Sequence, residues 1–345
     1  MEFNFPDNKL IINSTIYNRV GTSQYGQPIT IENPKDNFIT IDGIGYYFTY
    51  LNGASPGNKG GNSIILNLYE SQTFDEVNTG NIEYGDPDIV LKISNSKNSS
   101  NLRFPSKKEK RFKKEIDALK KCNAENFQNV IKIFHDGTCK IRNVPNTSYD
   151  EYLFYTMEYA NNDLKKYIEL NHNRLELYEK IELSISLCEG LKELFSLGYY
   201  HRDIKPDNIF MIDSLWKIGD LGLIAERNSL DMIDNIAERI GPAGWLSPES
   251  MNKFLCEGKN FEFDHNCFID HQSDIFQLGK VFWYIFQYNA PIGVIKEKDF
   301  MIKHSRIYQI VRTMLNHSKK RRYTEINDII RLLKIEADKL FVKAA

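Results

Sequence analysis

Tyr200 to Ile224 reads YHRDIKPDNIFMIDSLWKIGDLGLI, and the chemistry of the chain turns on this stretch. Two carboxylates, Asp203 and Asp220, a lysine, Lys205, and an asparagine, Asn208, sit around two short apolar runs. NIFMID and WKIGD read as the strands of a hairpin, which returns the chain so that Asn208 and Asp220 converge. Phosphoryl transfer needs a residue that orients the attacking hydroxyl and accepts its proton, oxygen ligands for a phosphate-bound metal, and a cation facing the developing charge. Asp203 is the candidate base and Lys205 the cation. Asn208 and Asp220 offer a neutral and an anionic oxygen of the kind that hard Mg²⁺ prefers.

Outward from this stretch, the chain has the means to fold around it. Its 345 residues are 41% hydrophobic, enough for a full core in two domains or one large bilobal unit. The formal net charge is -2 with 26% charged residues, a balance that calls for neither nucleic acid nor a membrane surface as partner. Five scattered cysteines form no C-x-x-C pair, which points to free thiols in a reducing compartment and an expected cytoplasmic location. The N-terminus MEFNFPDNKL lacks a basic start followed by an apolar run, and no segment approaches the ~20 apolar residues of a membrane span.

The texture of the chain changes once. Up to about residue 93, short β-rich runs (ITIENP, YYFTYL, SIILNLYE, DIVLKIS) alternate with Gly, Asn, Asp and Pro clusters, as strands joined by turns do. From Phe104 onward, SKKEKRFKKEIDALKKC, YEKIELSISLCEGLKELFSLG, SDIFQLGKVFWYIFQY and TEINDIIRLLKIEADKLF carry helical periodicity. The fold class expected is α+β, a small β-rich lobe followed by a larger α-helical lobe, with a ligand cleft between them. The basic run KKEKRFKK reads as the solvated face of its helix.

HRDIKPDN and DLG resemble the catalytic loop and the metal-binding loop of the eukaryotic-type protein kinases. The resemblance covers roughly residues 37–340, with the motifs in the family's order. It implies a bilobal kinase-like fold: a strand-like extension over residues 1–36, expected as an extra hairpin, a β-rich lobe over 37–158 and a helical lobe over 159–345. In DIVLKIS, Lys92 resembles the lysine that grips the inner phosphates, and Glu115 in KKEIDALKKC supplies its carboxylate partner. The alternative for Glu115 is one surface glutamate among several. In FYTMEYANNDL, Met157 would lie behind the adenine, Glu158 to Ala160 would offer backbone hydrogen bonds to the base, and Asp163 would be a ribose ligand or the N-cap of a helix.

Three glycine runs compete for the phosphate loop. GTSQYG at residues 21–26 lies too far from Lys92, and GIGYYF at residues 43–48 begins a strand. GASPGNKGGNSIIL remains, with Gly57, Gly60 and Gly61 permitting close backbone approach, Ser63 where a third glycine is usual, and Ile65 capping the adenine. A surface loop is the alternative reading of that run. Val90 and Phe210 would lie above and below the base, and both are larger than the family's usual residues. Leu221 replaces the commoner Phe of the metal loop. Glu249 in GPAGWLSPES is expected to pair with Arg322, and Asp274 in HQSDIFQLG to brace the catalytic loop.

The activity implied is transfer of the γ-phosphoryl group of ATP, with Mg²⁺ or alternatively Mn²⁺, to Ser/Thr hydroxyls of a protein substrate. Lys205 favours Ser/Thr, because family members directed at those residues carry lysine there. Pro242, where a hydroxyl residue is usual, lends the segment a tyrosine-kinase look and keeps a dual-specificity or tyrosine kinase as the alternative, beside a nucleotide-binding pseudokinase acting as an interaction module. Ser229 is the sole hydroxyl side chain between Asp220 and Pro242, so Arg202 is expected to pair with a carboxylate rather than a phosphate. His265, Cys267 and His271 form a ligand-like set without the spacing of a zinc site.

Overall fold

The structure, a computed structural model, describes residues 2–3, 38–41, 44–50, 63–70, 86–98, 105–142, 149–227, 233–261 and 263–344. Gly57, Gly60, Gly61 and Ser229 lie outside the described residues. The chain divides into two compact units, Met1–Lys120 with Lys132–Tyr159, and Lys121–Ile131 with Ala160–Ala345.

The first unit is a seven-stranded sheet. In chain order its strands are β1 (Glu2–Phe3), β2 (Phe38–Ile41), β3 (Ile44–Tyr50), β4 (Ser63–Glu70), β5 (Ile89–Lys97), β6 (Ile133–Arg142) and β7 (Tyr149–Glu158). The spatial order is β1-β6-β7-β5-β4-β3-β2. Every pairing is antiparallel except that of β1 with β6, which is parallel. The pleat sorts the side chains with period 2. Ile64, Leu66 and Leu68 of β4, Leu91 and Ile93 of β5, and Tyr152 and Phe154 of β7 form one buried apolar cluster with Tyr46 and Phe48 of β3. The alternate positions of β5 and β7, Lys92 and Tyr155, therefore share the opposite face. Helix α1 (Lys107–Ala124) follows β5 and buries Phe112, Ile116 and Leu119, while Lys108, Lys110 and Lys113 of its basic run are exposed.

β6 was not foreseen. The apolar period of the later sequence points to helix, yet ten residues after α1 form a full strand.

The second unit is helical. Its helices are α2 (Leu164–Asn171), α3 (Leu177–Ser196), α4 (Pro248–Cys256), α5 (His271–Gln287), α6 (Ser305–Met314) and α7 (Ile326–Ala344). Each start that carries a cap signal uses it: Asp163 accepts from Lys166 N before α2, Ser247 from Ser250 N before α4, and Asp270 from Gln272 N and Ser273 N before α5. The core is the inward face of α3, α5, α6 and α7, including Leu187, Leu191, Leu278, Phe282, Ile310 and Leu333. Gly190 lets α3 approach the Lys121–Ile131 segment of the same unit, since a Cβ there would sit 2.8 Å from Asn129 O. Short strands line one end: β8 (Asn162–Asp163), β9 (Tyr199–Tyr200), β10 (Ile209–Ile212), β11 (Leu215–Ile218) and β12 (Ala225–Glu226). β10 and β11 are the expected hairpin, with Ile212 opposite Leu215 across a two-residue turn. Among the described residues, no helix is long and apolar enough to cross a membrane.

Candidate active site

In the first unit the shared face of β5 and β7 brings a buried ion pair together. Lys92 Nζ lies 2.8 Å from Glu115 Oε1, and the two residues are 5% and 1% exposed. Tyr155 OH donates to the same oxygen at 2.9 Å, and Lys92 Nζ stands 5.6 Å from the Tyr155 ring centre. Phe112, one turn before Glu115 on α1, packs on that ring at 5.5 Å. Glu115 is thus no surface glutamate: burial of both charges is tolerable only because each is paired and hydrogen-bonded. The sequence reading missed Tyr155, although register held the signal. Val90 lies opposite Met157, so two residues along each strand Lys92 lies opposite Tyr155.

In the second unit the stretch after β9 gathers the reacting types. Lys205 Nζ donates to Asp203 Oδ2 at 3.0 Å, and Asn208 Nδ2 donates to the same oxygen at 2.8 Å and to Asp203 O at 2.9 Å. Burial pushes the Asp203 carboxyl up to about 6, with the Asp220 charge adding to the rise and Lys205 and Asn208 opposing it. Because Asn208 spends its amide N–H on Asp203, its Oδ1 is the atom it can offer a cation. Gly219 N donates to Asn208 O at 3.0 Å, which ties the residue before Asp220 to the asparagine. A Cβ at Gly219 would meet the Phe210 ring at 2.8 Å, so any larger residue there would have to push that ring aside.

His201 fastens these loops. Asp203 N donates to His201 Nδ1 at 3.1 Å, and the other ring nitrogen lies 3.1 Å from Gly219 O. With Nδ1 accepting, the proton sits on Nε2 and donates to that carbonyl. Burial lowers the imidazole to about 4, so the ring is neutral at neutral pH as this arrangement requires.

Helix α5 holds the loop from beneath. Asp274, fully buried, accepts from His201 N and Arg202 N, both at 2.7 Å. Burial pushes its carboxyl up to about 7 while those two N–H donors hold it down. One turn on, Gln277 accepts from Ile204 N at 3.1 Å and donates to Arg202 O at 3.2 Å. Gln277 was not anticipated, though i, i+3 spacing from Asp274 puts it on the same face. Arg202 and Asp220 have φ of 67° and 55°, a left-handed conformation that costs an ordinary residue ~1–2 kcal/mol. The Arg202 side chain donates to Leu223 O at 2.6 Å and pairs with Asp234 at 2.5 Å, the carboxylate partner expected for it.

Glu249 and Arg322 form the other expected pair, bidentate at 2.8 and 3.2 Å. The guanidinium also donates to the carbonyls of Gln272, Asn316 and His317, and Ser273 Oγ donates to Glu249, so this buried pair is fully hydrogen-bonded.

The remaining residues named from the sequence fall in both units. Ser63, Ile65 and Met157 are half-buried, and Val90 is buried, with Ile65 opposite Lys92. The boundary between the units falls after Tyr159, so Ala160 opens the second segment of the second unit. Asp163 caps α2 and lies opposite the half-buried Phe210 across β8 and β10. At Glu158 the N–H donates to Lys132 O at 3.1 Å, so a backbone hydrogen bond from this residue to a base would be made by its carbonyl. The pairing arises because the Glu158 carboxylate also accepts from Lys132 N, at 2.8 Å. Near α5, His271 Nε2 meets Thr324 O at 3.1 Å, and Cys267 Sγ meets His265 O at 3.4 Å. Among the described residues, no three of His, Cys, Asp or Glu are grouped to hold a metal ion.

Residues 88–339 match the family described as protein kinase domain. A probable serine/threonine-protein kinase of Clostridium acetobutylicum is 26% identical over 196 residues, 56% of this chain and 26% of the relative. The RAF proto-oncogene serine/threonine-protein kinase of Xenopus laevis is 25% identical over 130 residues, 37% of this chain and 19% of the relative. The cytoplasmic tyrosine-protein kinase BMX of Mus musculus is 25% identical over 194 residues, 54% of this chain and 27% of the relative. The chain thus spans under a third of the length of these relatives.

Proposed function

The chain belongs to the protein kinase domain family, and from that premise we propose that it transfers the γ-phosphoryl group of ATP to serine or threonine hydroxyls of a protein substrate. The observation that carries the reading is the Asp203 carboxylate, buried, hydrogen-bonded by Lys205 and Asn208, and raised to about 6. A base of that strength is ionised at neutral pH yet basic enough to take a hydroxyl proton as it is lost. Lys205, two residues on, supports the Ser/Thr assignment: it reaches the reacting group at short range, where a short substrate side chain must come.

ATP bound with a divalent cation supplies the transferable phosphoryl group and neutralises its phosphates. The donor set suits Mg²⁺, or Mn²⁺ in its place: Asn208 Oδ1 and the Asp220 carboxylate are hard oxygens, and both nitrogens of nearby His201 are engaged elsewhere. Lys92, fixed by Glu115 and Tyr155, presents its ammonium to the inner phosphates. The residues named from the sequence for the base and ribose are kept as proposed ligands: Ile65, Val90 and Met157 in the first unit, and Ala160, Asp163 and Phe210 in the second. The glycines at 57, 60 and 61 are proposed for the phosphates on sequence alone.

The test is incubation with labelled ATP, Mg²⁺ and a generic protein such as casein. Lys92→Met and Asp220→Asn are each expected to lower turnover at least about a hundredfold, ~3 kcal/mol of transition-state stabilisation, with the fold retained. Substantial residual turnover in either variant would place the chemistry elsewhere. Phosphoamino-acid analysis of the products should give phosphoserine and phosphothreonine, and mainly phosphotyrosine overturns the specificity.

A further inference from the structure

The second unit holds a cavity of about 570 Å³ that the site above does not use. Its construction starts at Gly279 on α5, where a Cβ would lie 2.8 Å from Met314 Cβ and 3.2 Å from Leu315. The glycine lets the end of α6 close on α5, and the next residue, Lys280, lines the cavity between them. Lys280 Nζ donates to Gly244 O at 2.8 Å and stands 5.7 Å from the centre of the Phe276 ring. The other walls include Met251 of α4, Val294 and Arg312.

Two properties of the cavity define what fits it. The first is charge: Lys280 and Arg312 line it, and among the described residues that do so there is no Asp or Glu. Burial lowers the Lys280 ammonium, and no carboxylate counters that shift. An anion entering here gains a partly desolvated cation that lacks an acidic partner in the wall. The second is the rim. Met251, Phe254 and Leu255 recur at i, i+3 and i+4 on α4, so they share one helix face, and all three are exposed. In the segment after α5, which lines the cavity through Pro291, Gly293 and Val294, Ile292 and Val294 are 92% and 80% exposed. Phe254, Leu255 and Ile292 lie outside the cavity itself, so a small molecule filling it would leave them in water. A polypeptide covers both.

We propose that this cavity is a docking site for a protein partner, entered by a segment in which apolar side chains flank a single carboxylate. The carboxylate meets Lys280 and Arg312, and the apolar residues cover Met251, Val294 and the outer face of α4, in the manner of a short motif read by a preformed groove. Binding here is separate from phosphoryl transfer, so it can stand or fall without the activity proposed above.

The experiment pans a phage-displayed library of random twelve-residue peptides on the full chain, with the Val294→Asp variant as counter-selection. Enriched peptides are then titrated by fluorescence polarisation. The expected result is a consensus of apolar residues around one Glu or Asp. Replacing that residue by Gln or Asn should weaken binding at least tenfold to the wild type and clearly less to Lys280→Gln, where Arg312 alone faces the carboxylate. Val294→Asp, at a position too exposed to disturb folding, should weaken every enriched peptide at least tenfold. Four results each overturn the proposal: no enriched sequence, a consensus without an acid, affinities that ignore both variants, or Lys280-dependent binding of dodecanoate with no peptide binding.

Discussion

Asp203→Asn is expected to inactivate the protein and to gain stability relative to the wild type as pH rises from 4 to 7. The wild-type carboxyl is held at about 6 in the folded chain against an ordinary value of 3.8. Between those values the folded state keeps a proton that the unfolded state has lost. The folded state binds more protons there, so stability falls as pH rises and levels off above about 6. Two units of displacement at about 1.4 kcal/mol each make the cost of the ionised form ~3 kcal/mol at pH 7. The residue is buried, so solvent screening takes little from this figure. The amide of the variant carries no such cost, and whatever hydrogen bonds it loses to Lys205 and Asn208 enter as a constant offset.

The quantity to measure is the melting temperature of variant minus wild type, in the absence of nucleotide, every half unit from pH 4 to pH 8. It should climb by roughly 6–12 °C between pH 4 and pH 7, at the 2–4 °C per kcal/mol expected for a domain of this size, and then stay level. In parallel, kcat/KM of the wild type should rise with an apparent pKa near 6. A difference that is flat with pH, or largest at pH 4, would refute the claim that burial dominates the Asp203 environment.

Three further perturbations have defined outcomes. Arg322→Met leaves Glu249 buried without its cation and should cost ~3–5 kcal/mol in urea denaturation; a loss under about 1 kcal/mol would mean the neighbouring carbonyls and Ser273 suffice. The β10–β11 turn places Asp213 and Ser214 at φ of 49° and 64°, the two positive values of a type I′ hairpin, so Ser214→Gly should add roughly 0.5–1 kcal/mol, and a lower melting temperature counts against that turn geometry. Since Arg202 already pairs with Asp234, Ser229→Ala should retain phosphotransfer and Asp234→Asn should lose most of it, and the opposite pattern would show that phosphate at Ser229 is required.

What the sequence made legible was whatever is written locally or repeats with a period. SIILNLYE is β4 to the residue: it is a β-rich run bounded by turn residues, and Ile64, Leu66 and Leu68, two apart, form its buried face. The helices α1, α3, α5 and α7 follow their apolar stripes in the same way. β6 escaped because its pattern is broken: Ile133 and Cys139 are buried, but Phe134 is exposed, Asp136 and Gly137 interrupt the run, and the register with β7 slips by one between Ile133 and Asp136. A bulge shifts the inward positions by one residue, which erases the period that betrays a strand. Glu249 and Arg322, 73 positions apart, share no local pattern, and only the resemblance joined them.

The candidate site shows the same division more sharply. Asp203, Lys205, Asn208 and Asp220 could be named from residue type, since phosphoryl transfer needs those types. Their placement depends on backbone that no local signal announces. Arg202 and Asp220 adopt the left-handed conformation without being glycine, at ~1–2 kcal/mol each. At Arg202 the strain is offset by a residue 72 positions away: Asp274 accepts the Arg202 and His201 amides, and a hydrogen bond to a charged group contributes ~1.5–3 kcal/mol. Gln277 adds two more bonds, on either side of Asp203. The base is therefore aimed by α5, a helix buried in the core of its unit, and not by the loop that carries it. A chemically silent change in α5 should misplace Asp203 as surely as a change beside it.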